Sequence, residues 1–211
     1  MCMSRVSRGS GLVELMLAIA LGLGVLLALL GFYLGAVRSY AERQAELELR
    51  LSLVALLDRV EGEIRRSGYS GEALALQLAK LPLDRPYPWQ PAEVSVAGVS
   101  LPDETCLLLR TDLNGDGVLG DEELTGYRFN GEHQAVEQKL WPDLASQQAQ
   151  GCAGGGWQDL SSDGDIQITQ LSFTKPQADA PLLQLVVRGV SRRVPEQPLF
   201  LTRQVWVRNG W

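Results

Sequence analysis

Between Leu15 and Val37 the chain carries no charged side chain. The run is about 23 residues long, enough for a helix at 1.5 Å per residue to cross the roughly 30 Å hydrocarbon layer of a bilayer. A helix that is apolar all round needs lipid or protein on every side, so this run limits the fold more than any other feature. Glu14 stands at its entrance. A carboxylate well inside such a segment costs on the order of 2.5 kcal/mol or more. Either Glu14 lies at the headgroup level, where the cost is small, or it meets a partner that offsets the cost.

The flanks argue against a cleavable secretory signal, which has a short apolar core followed by a small-residue cleavage site. Here the run is long, and the charged helical pattern "RSYAERQAELELR" follows it. Ahead of it, "MCMSRVSRG" is a short basic leader with Arg5 and Arg8, ending in Gly9; then come Ser10, Gly11, Leu12, Val13 and Glu14. This order resembles the prepilin signature of type IV pilins and type II secretion pseudopilins. In that signature a glycine ends the leader and a glutamate is the fifth residue of the mature chain. The resemblance implies that a prepilin peptidase cuts between Gly9 and Ser10 on the cytoplasmic side and N-methylates Ser10. Family members most often start with Phe; Ser10 departs from that, as some minor pilins do. The resemblance also gives Glu14 an assembly role, pairing with the N-terminal amine of a neighbouring subunit. Opposite charges about 4 Å apart in a poorly hydrated site attract by several kcal/mol, offset by desolvation. Such a pair sets axial register more than it adds affinity.

After Val37 the helical pattern continues but becomes amphipathic. Leu49, Leu53, Leu56, Leu57, Val60 and Ile64 recur at helical spacing, with Arg50, Asp58, Arg59, Glu61 and Arg65 on the other face. Glu46 with Arg50 and Glu61 with Arg65 are i,i+4 pairs in the favourable order. "RRSGYSG" ends the helix, with Gly68 as its cap. A helix from about residue 11 to 66 would be roughly 80 Å long. The stretch from Ser70 to Leu101 reads as a proline-rich loop. Strand patterns follow in "TCLLLRT", "LTGYRFN", "AVEQKLW", "IQITQLSFT", "LLQLVVRG" and "LFLTRQVWVR". The expectation is an α+β chain of type IV pilin-like fold, its long helix first transmembrane and then packed on an antiparallel sheet. Its parts are a leader (1–9), a transmembrane half-helix (10–37), an amphipathic half-helix (38–68) and a periplasmic β-rich domain (69–211).

"RRSGYSG", "CLLLRTDLNGDG", "GYRFN", "GCAGGGWQDL" and "VRNG" carry a second resemblance. They resemble a subgroup of minor pilins that includes prepilin peptidase-dependent protein B, the W-type minor pilins and the J-type minor pseudopilins. This implies a low-copy subunit in the inner membrane that helps to initiate or cap a pilus, with other minor pilins and the major pilin as partners. Cys2 falls in the leader. Cys106 and Cys152 remain, an even pair in the part expected outside the cytoplasm, so a disulfide is expected; the relatives' cysteines flank the same region. A loop of that size is worth about 4 kcal/mol in the chain-entropy model. Removing Arg5 and Arg8 leaves 17 basic against 25 acidic side chains, a net charge of about −8. A mildly acidic domain is a poor nucleic-acid binder by bulk electrostatics, so none is expected as a partner.

"DLNGDGVLGDEE" reads D-x-N-x-D-G-x-x-x-x-x-E from Asp112 to Glu123. Ca²⁺ takes six to eight oxygens. Asp112, Asn114 and Asp116 would supply side-chain oxygens, Val118 a carbonyl and Glu123 a bidentate carboxylate, with Gly117 at the sharp turn. Gly120 has no side chain to ligate, so a water would take that place. The competing reading is an acidic turn between two strands, since "NGDG" makes turns in any case. The flanks read as strands, not as the helices of an EF-hand. "SSDGDIQ" reads only as a turn.

Enzymatic readings do poorly. The one histidine, His133, sits in the turn-like "NGEHQ". A Cys106–His133 nucleophile pair competes with the disulfide and loses to it. Hydrolase and metalloprotease motifs are missing from the sequence. The glycines of "GCAGGGW" are not placed between a strand and a helix, as a phosphate cradle would be. Trp141 and Trp157 read as core or loop packing, with interface anchoring as the alternative. Two functions remain: a minor pilin of a type IV pilus, or a J-type minor pseudopilin at the tip of a type II secretion pseudopilus.

Overall fold

The computed structural model describes residues 11–69, 98–114, 119–120, 122–161, 164–176 and 181–207. The chain divides into two compact units, residues 1–44 and 45–211. Helix α1, Leu12–Arg66, runs through both. In the first unit it is apolar from Leu15 to Val37, and its side chains there are exposed. It is long and apolar enough to cross a membrane by length and composition. The first charges after the run form an ion pair, Arg38 Nε to Glu42 Oε1 at 3.2 Å.

In the second unit α1 is amphipathic. Ala45, Leu49, Leu53, Leu56, Leu57, Val60 and Ile64 are buried, the stripe that the sequence spacing predicts. Glu61 and Arg65 form the expected i,i+4 pair at 2.6 Å. The helix ends where Ser67 Oγ donates to the Ile64 carbonyl and Gly68 turns to a φ of +73°. Gly98 lies against this cap so closely that a Cβ there would overlap the Gly68 backbone.

The strands form two antiparallel sheets, not the single one expected. The first has the order β1 (Val99–Asp103), β2 (Cys106–Arg110), β3 (Leu124–Asn130), β4 (Ala135–Trp141), β5 (Gln158–Asp159). The second has the order β6 (Ile166–Thr174), β7 (Leu182–Ser191), β8 (Val194–Trp206). They meet where Ile168 N–H donates to the Gln134 carbonyl and Phe173 N–H to that of Glu104, both at 2.7 Å. β1 takes in Val99–Leu101, which the sequence assigned to loop; the rest of that loop, 70–97, lies outside the described residues. A short helix α2 (Leu144–Gln150) and β5 also escaped the sequence reading.

One apolar core joins α1 to both sheets. Leu107, Leu109, Tyr127 and Val136 face it from the first sheet; Ile168, Leu171, Phe173, Leu183, Leu185 and Val187 from the second. A register shift between Ile168 and Gln170 changes the alternation and brings Leu171 inward. The other face of the first sheet carries a smaller core of Cys106, Leu108, Leu119, Leu124, Trp141 and Leu144. Thus β2 is buried on both faces. Gly126 makes room there: a Cβ would come within 2.6 Å of the Trp141 ring.

This packing sets a contrast along one helix. Leu53→Ala in the 45–211 unit should cost about 2–5 kcal/mol in urea unfolding, because Leu53 is fully buried. Leu51→Ala, at an exposed position, should stay within about 0.5 kcal/mol. Equal losses at both would contradict the described helix face.

Candidate functional site

Gly9 and Ser10 lie outside the described residues. Glu14 sits in the first turn of α1 with its N–H bonded to the Gly11 carbonyl at 2.8 Å, and its residue is exposed.

The 112–123 loop leaves β2 and returns into β3. Its neck is tied by Thr111 N–H to the Glu123 carbonyl at 2.9 Å. Asp112 and Glu123 are buried, whereas Asn114 is exposed. Asp116, Gly117 and Val118 lie outside the described residues. The Glu123 carboxylate faces the loop's own backbone. Its Oε1 accepts from Leu113 N–H at 2.7 Å and Asn114 N–H at 3.1 Å, and its Oε2 from Gly120 N–H at 2.9 Å.

Cys106 and Cys152 are bonded, which fastens the segment after α2 to the start of β2. The Cys106 thiol is therefore consumed, and no Cys106–His133 nucleophile pair exists. His133 lies in the β3–β4 turn, exposed. Asp143 caps α2, accepting from Ser146 N–H at 2.7 Å; that bond and a second from the Ser146 hydroxyl hold its carboxyl below the usual range. Trp141 and Trp157 meet edge to face, centroids 5.6 Å apart, so both pack within the domain.

Two cations clamp this layer, and sequence reasoning missed them. Arg128 lies 4.5 Å over the Trp157 ring, donates from Nε to Glu137 Oε2 at 2.7 Å and from Nη1 to the Cys152 carbonyl at 2.9 Å. Lys139 donates from Nζ to Gln150 Oε1 and to the Gly155 carbonyl, each at 2.5 Å. The signal was present: once "NGEHQ" is read as a hairpin turn, Arg128 falls opposite Glu137. Burial pushes the Glu137 carboxyl up, but hydrogen bonds from Asn130 and Arg128 and the Arg128 charge outweigh it, and the pKa lies below its ordinary 4.5. Burial of Arg110, whose Nε donates to Gln147 Oε1 at 2.7 Å, lowers its guanidinium to about 10. Tyr127 is raised, first by burial and then by the Glu63 carboxylate. All these groups tie elements together.

Over residues 42–207 the chain matches the family described as prepilin peptidase-dependent protein B. The chain belongs to that family. It is a family of pilin-like structural proteins, and the match covers the β-domain with the second half of α1. The apolar run and the Gly9–Glu14 signature lie outside the matched residues, so the two resemblances rest on different parts of the chain. No curated protein and no solved structure matches.

The lowered Glu137 pKa has a definite sign. A depressed carboxyl contributes stability that is present above its unfolded pKa and is lost as pH falls through the folded one. The 45–211 unit should therefore lose stability as pH drops below about 4.5. Glu137→Gln should be less stable at about pH 7 and flatter through that acid window, read from urea midpoints. An unchanged acid limb in the variant would remove Glu137 from that role.

Proposed function

We infer that this chain is a minor pilin that assembles with other minor pilins and the major pilin to initiate or cap a type IV pilus. The observation that carries the reading is the family match over 42–207, joined to an exposed apolar helix that follows the Gly9–Ser10 and Glu14 signature. In this reading prepilin peptidase removes residues 1–9 and methylates Ser10. Residues 10–37 then hold the chain in the inner membrane, with the 69–211 domain in the periplasm. Glu14 meets the amine of a neighbouring subunit, and two poorly hydrated opposite charges fix the axial step between the chains.

The test has two parts. Mass spectrometry of the membrane-extracted chain should show an N-methylated Ser10 start, with Gly9→Val leaving the leader in place. As the sole copy, Glu14→Lys should reach the membrane at normal levels and lower the number of surface pili. Recovery of the Met1 form from cells with active peptidase would overturn the processing, and normal pili with Glu14→Lys would overturn the pairing. Intact pili with lost protein secretion would assign the chain to a type II secretion pseudopilus.

We also propose, from the ligand spacing of the sequence and independently of the family, that the 112–123 loop holds one structural Ca²⁺. Asp112, Asn114 and Asp116 would offer side-chain oxygens, Val118 its carbonyl and Glu123 its carboxylate. Support comes from the D-x-N-x-D-G-x-x-x-x-x-E register and from two buried acidic groups at the loop's ends. The ion competes with three backbone N–H groups for Glu123, so its net effect is modest. At about ten times Kd it would add roughly 1.4 kcal/mol. The 45–211 unit should then melt about 4 °C higher in calcium than in chelator, and Asp116→Ala should abolish the difference. Equal melting temperatures throughout would leave Glu123 as a clamp on an acidic turn.

A further inference from the structure

A β-domain of two open sheets has four edges, and three are managed here in the ways that prevent stray pairing. β1 has five residues and irregular pairing between Ser100 and Asp103. β5 has two residues. β6 hydrogen-bonds to the Gln134 and Glu104 carbonyls at the ends of the first sheet. β8 is different. It is thirteen residues long and, among the described residues, pairs only with β7.

β8 is guarded over only part of its length. Pro195, Glu196 and Pro198 protect its start, where proline removes the donors an added strand would need. From Leu199 to Trp206 there is no proline and one charge, Arg203. That charge is turned to α1, where Arg203 Nη2 lies 3.2 Å from Asp58 Oδ1. Its value as a guard is thereby neutralised. Alternate residues Phe200, Thr202, Gln204 and Trp206 are exposed, with Phe200 69 % and Trp206 55 % accessible.

We propose that the Leu199–Trp206 edge of β8 is a docking strand that takes an extended β-strand from the globular domain of a sister pilin-family subunit. The proposal rests on the minor-pilin reading. An edge that pairs with no second strand among the described residues can recognise extended backbone, and the alternating exposed side chains would select what lies beside them. Eight residues give a contact about 27 Å long, below the size of a stable free-standing interface. Such a contact becomes effective when both chains are held in one membrane, because tethering supplies the concentration. A second copy is the competing occupant, and the identity of the adduct described below decides between the two.

The test uses the full-length chain in its own membranes, with a photo-cross-linking residue at Thr202 and a control at exposed Glu132. Irradiation should give an adduct from 202 and not from 132. Mass spectrometry should place the other end on a strand of a different chain that carries its own prepilin signature. Adding Phe200→Lys with Gln204→Lys should lower the adduct about tenfold, while membrane level and the Cys106–Cys152 bond stay unchanged. No adduct from 202, an adduct to a second copy or within the chain, or an undiminished adduct in the lysine variant would overturn the proposal. Deleting the gene separates the two readings. Loss of pili without an adduct at 202 leaves the minor pilin standing and removes the edge; a sister-strand adduct with intact pili does the reverse.

Discussion

The β-domain depends on the stripe from Leu49 to Ile64. Neither sheet encloses a core by itself. The first sheet turns Leu107, Leu109, Tyr127 and Val136 to one side, the second turns Leu171, Phe173, Leu183 and Leu185, and the α1 leucines lie with both in one cluster. Fully burying each large apolar side chain is worth about 1.5–3 kcal/mol, so the stripe is the largest single stabilising element there. It also explains the small residue at Gly189. A Cβ at that position would come within 3.1 Å of Leu53 and 3.2 Å of the Gln167 carbonyl, so β7 is held as close to the helix as its backbone permits.

The helix was legible because two periodic signals stand end to end. Continuous apolarity from Leu15 to Val37 gives way to a one-sided stripe, and Gly68 marks the stop, so the expected bounds agree with Leu12–Arg66 to within a residue. Six strand segments were legible from alternation and β-branched content. What failed was local. β1 begins after a proline-rich stretch and includes Pro102, which reads as loop. α2 is seven residues of mostly polar side chains, and it is fixed by the Asp143 cap and by Leu144 and Gln147 packing inward, not by a hydrophobic period. The division into two sheets depends on where β6 pairs, a non-local choice that strand patterns do not encode.

The second layer shows why candidate sites were harder to read than elements. The disulfide follows from a count of cysteines outside the leader. Arg128 and Lys139 looked like ordinary outward charges of two strands, yet both bond to the segment from Gln150 to Gly155. From Gly151 onward that segment is glycine-rich and lacks regular structure of its own, so it takes its position from the Cys106–Cys152 bond, two cations and the Trp141–Trp157 contact. Glu123 is a similar case. A residue that scores as the last ligand of a calcium loop is also a sound clamp for the loop's own amides, because both roles need a buried carboxylate aimed inward. The sequence pattern alone does not separate them.

In the proposed minor-pilin reading, these placements bear on how the chain would find its neighbours. A charge pair at Glu14 would be the same in every chain that carries the prepilin signature, so it fixes an axial step without choosing a partner. Choice of partner would then fall to the globular domain, and discrimination needs features that reject as well as attract. β8 has both: prolines at 195 and 198 that refuse a strand over its first part, and a proline-free stretch with Phe200 and Trp206 exposed beyond them. Each contact alone is weak. In the proposed reading, a shared register in one membrane would present the edges to each other, and the edges would decide which chains stay. Specificity under this reading arises from the conjunction of register and edge.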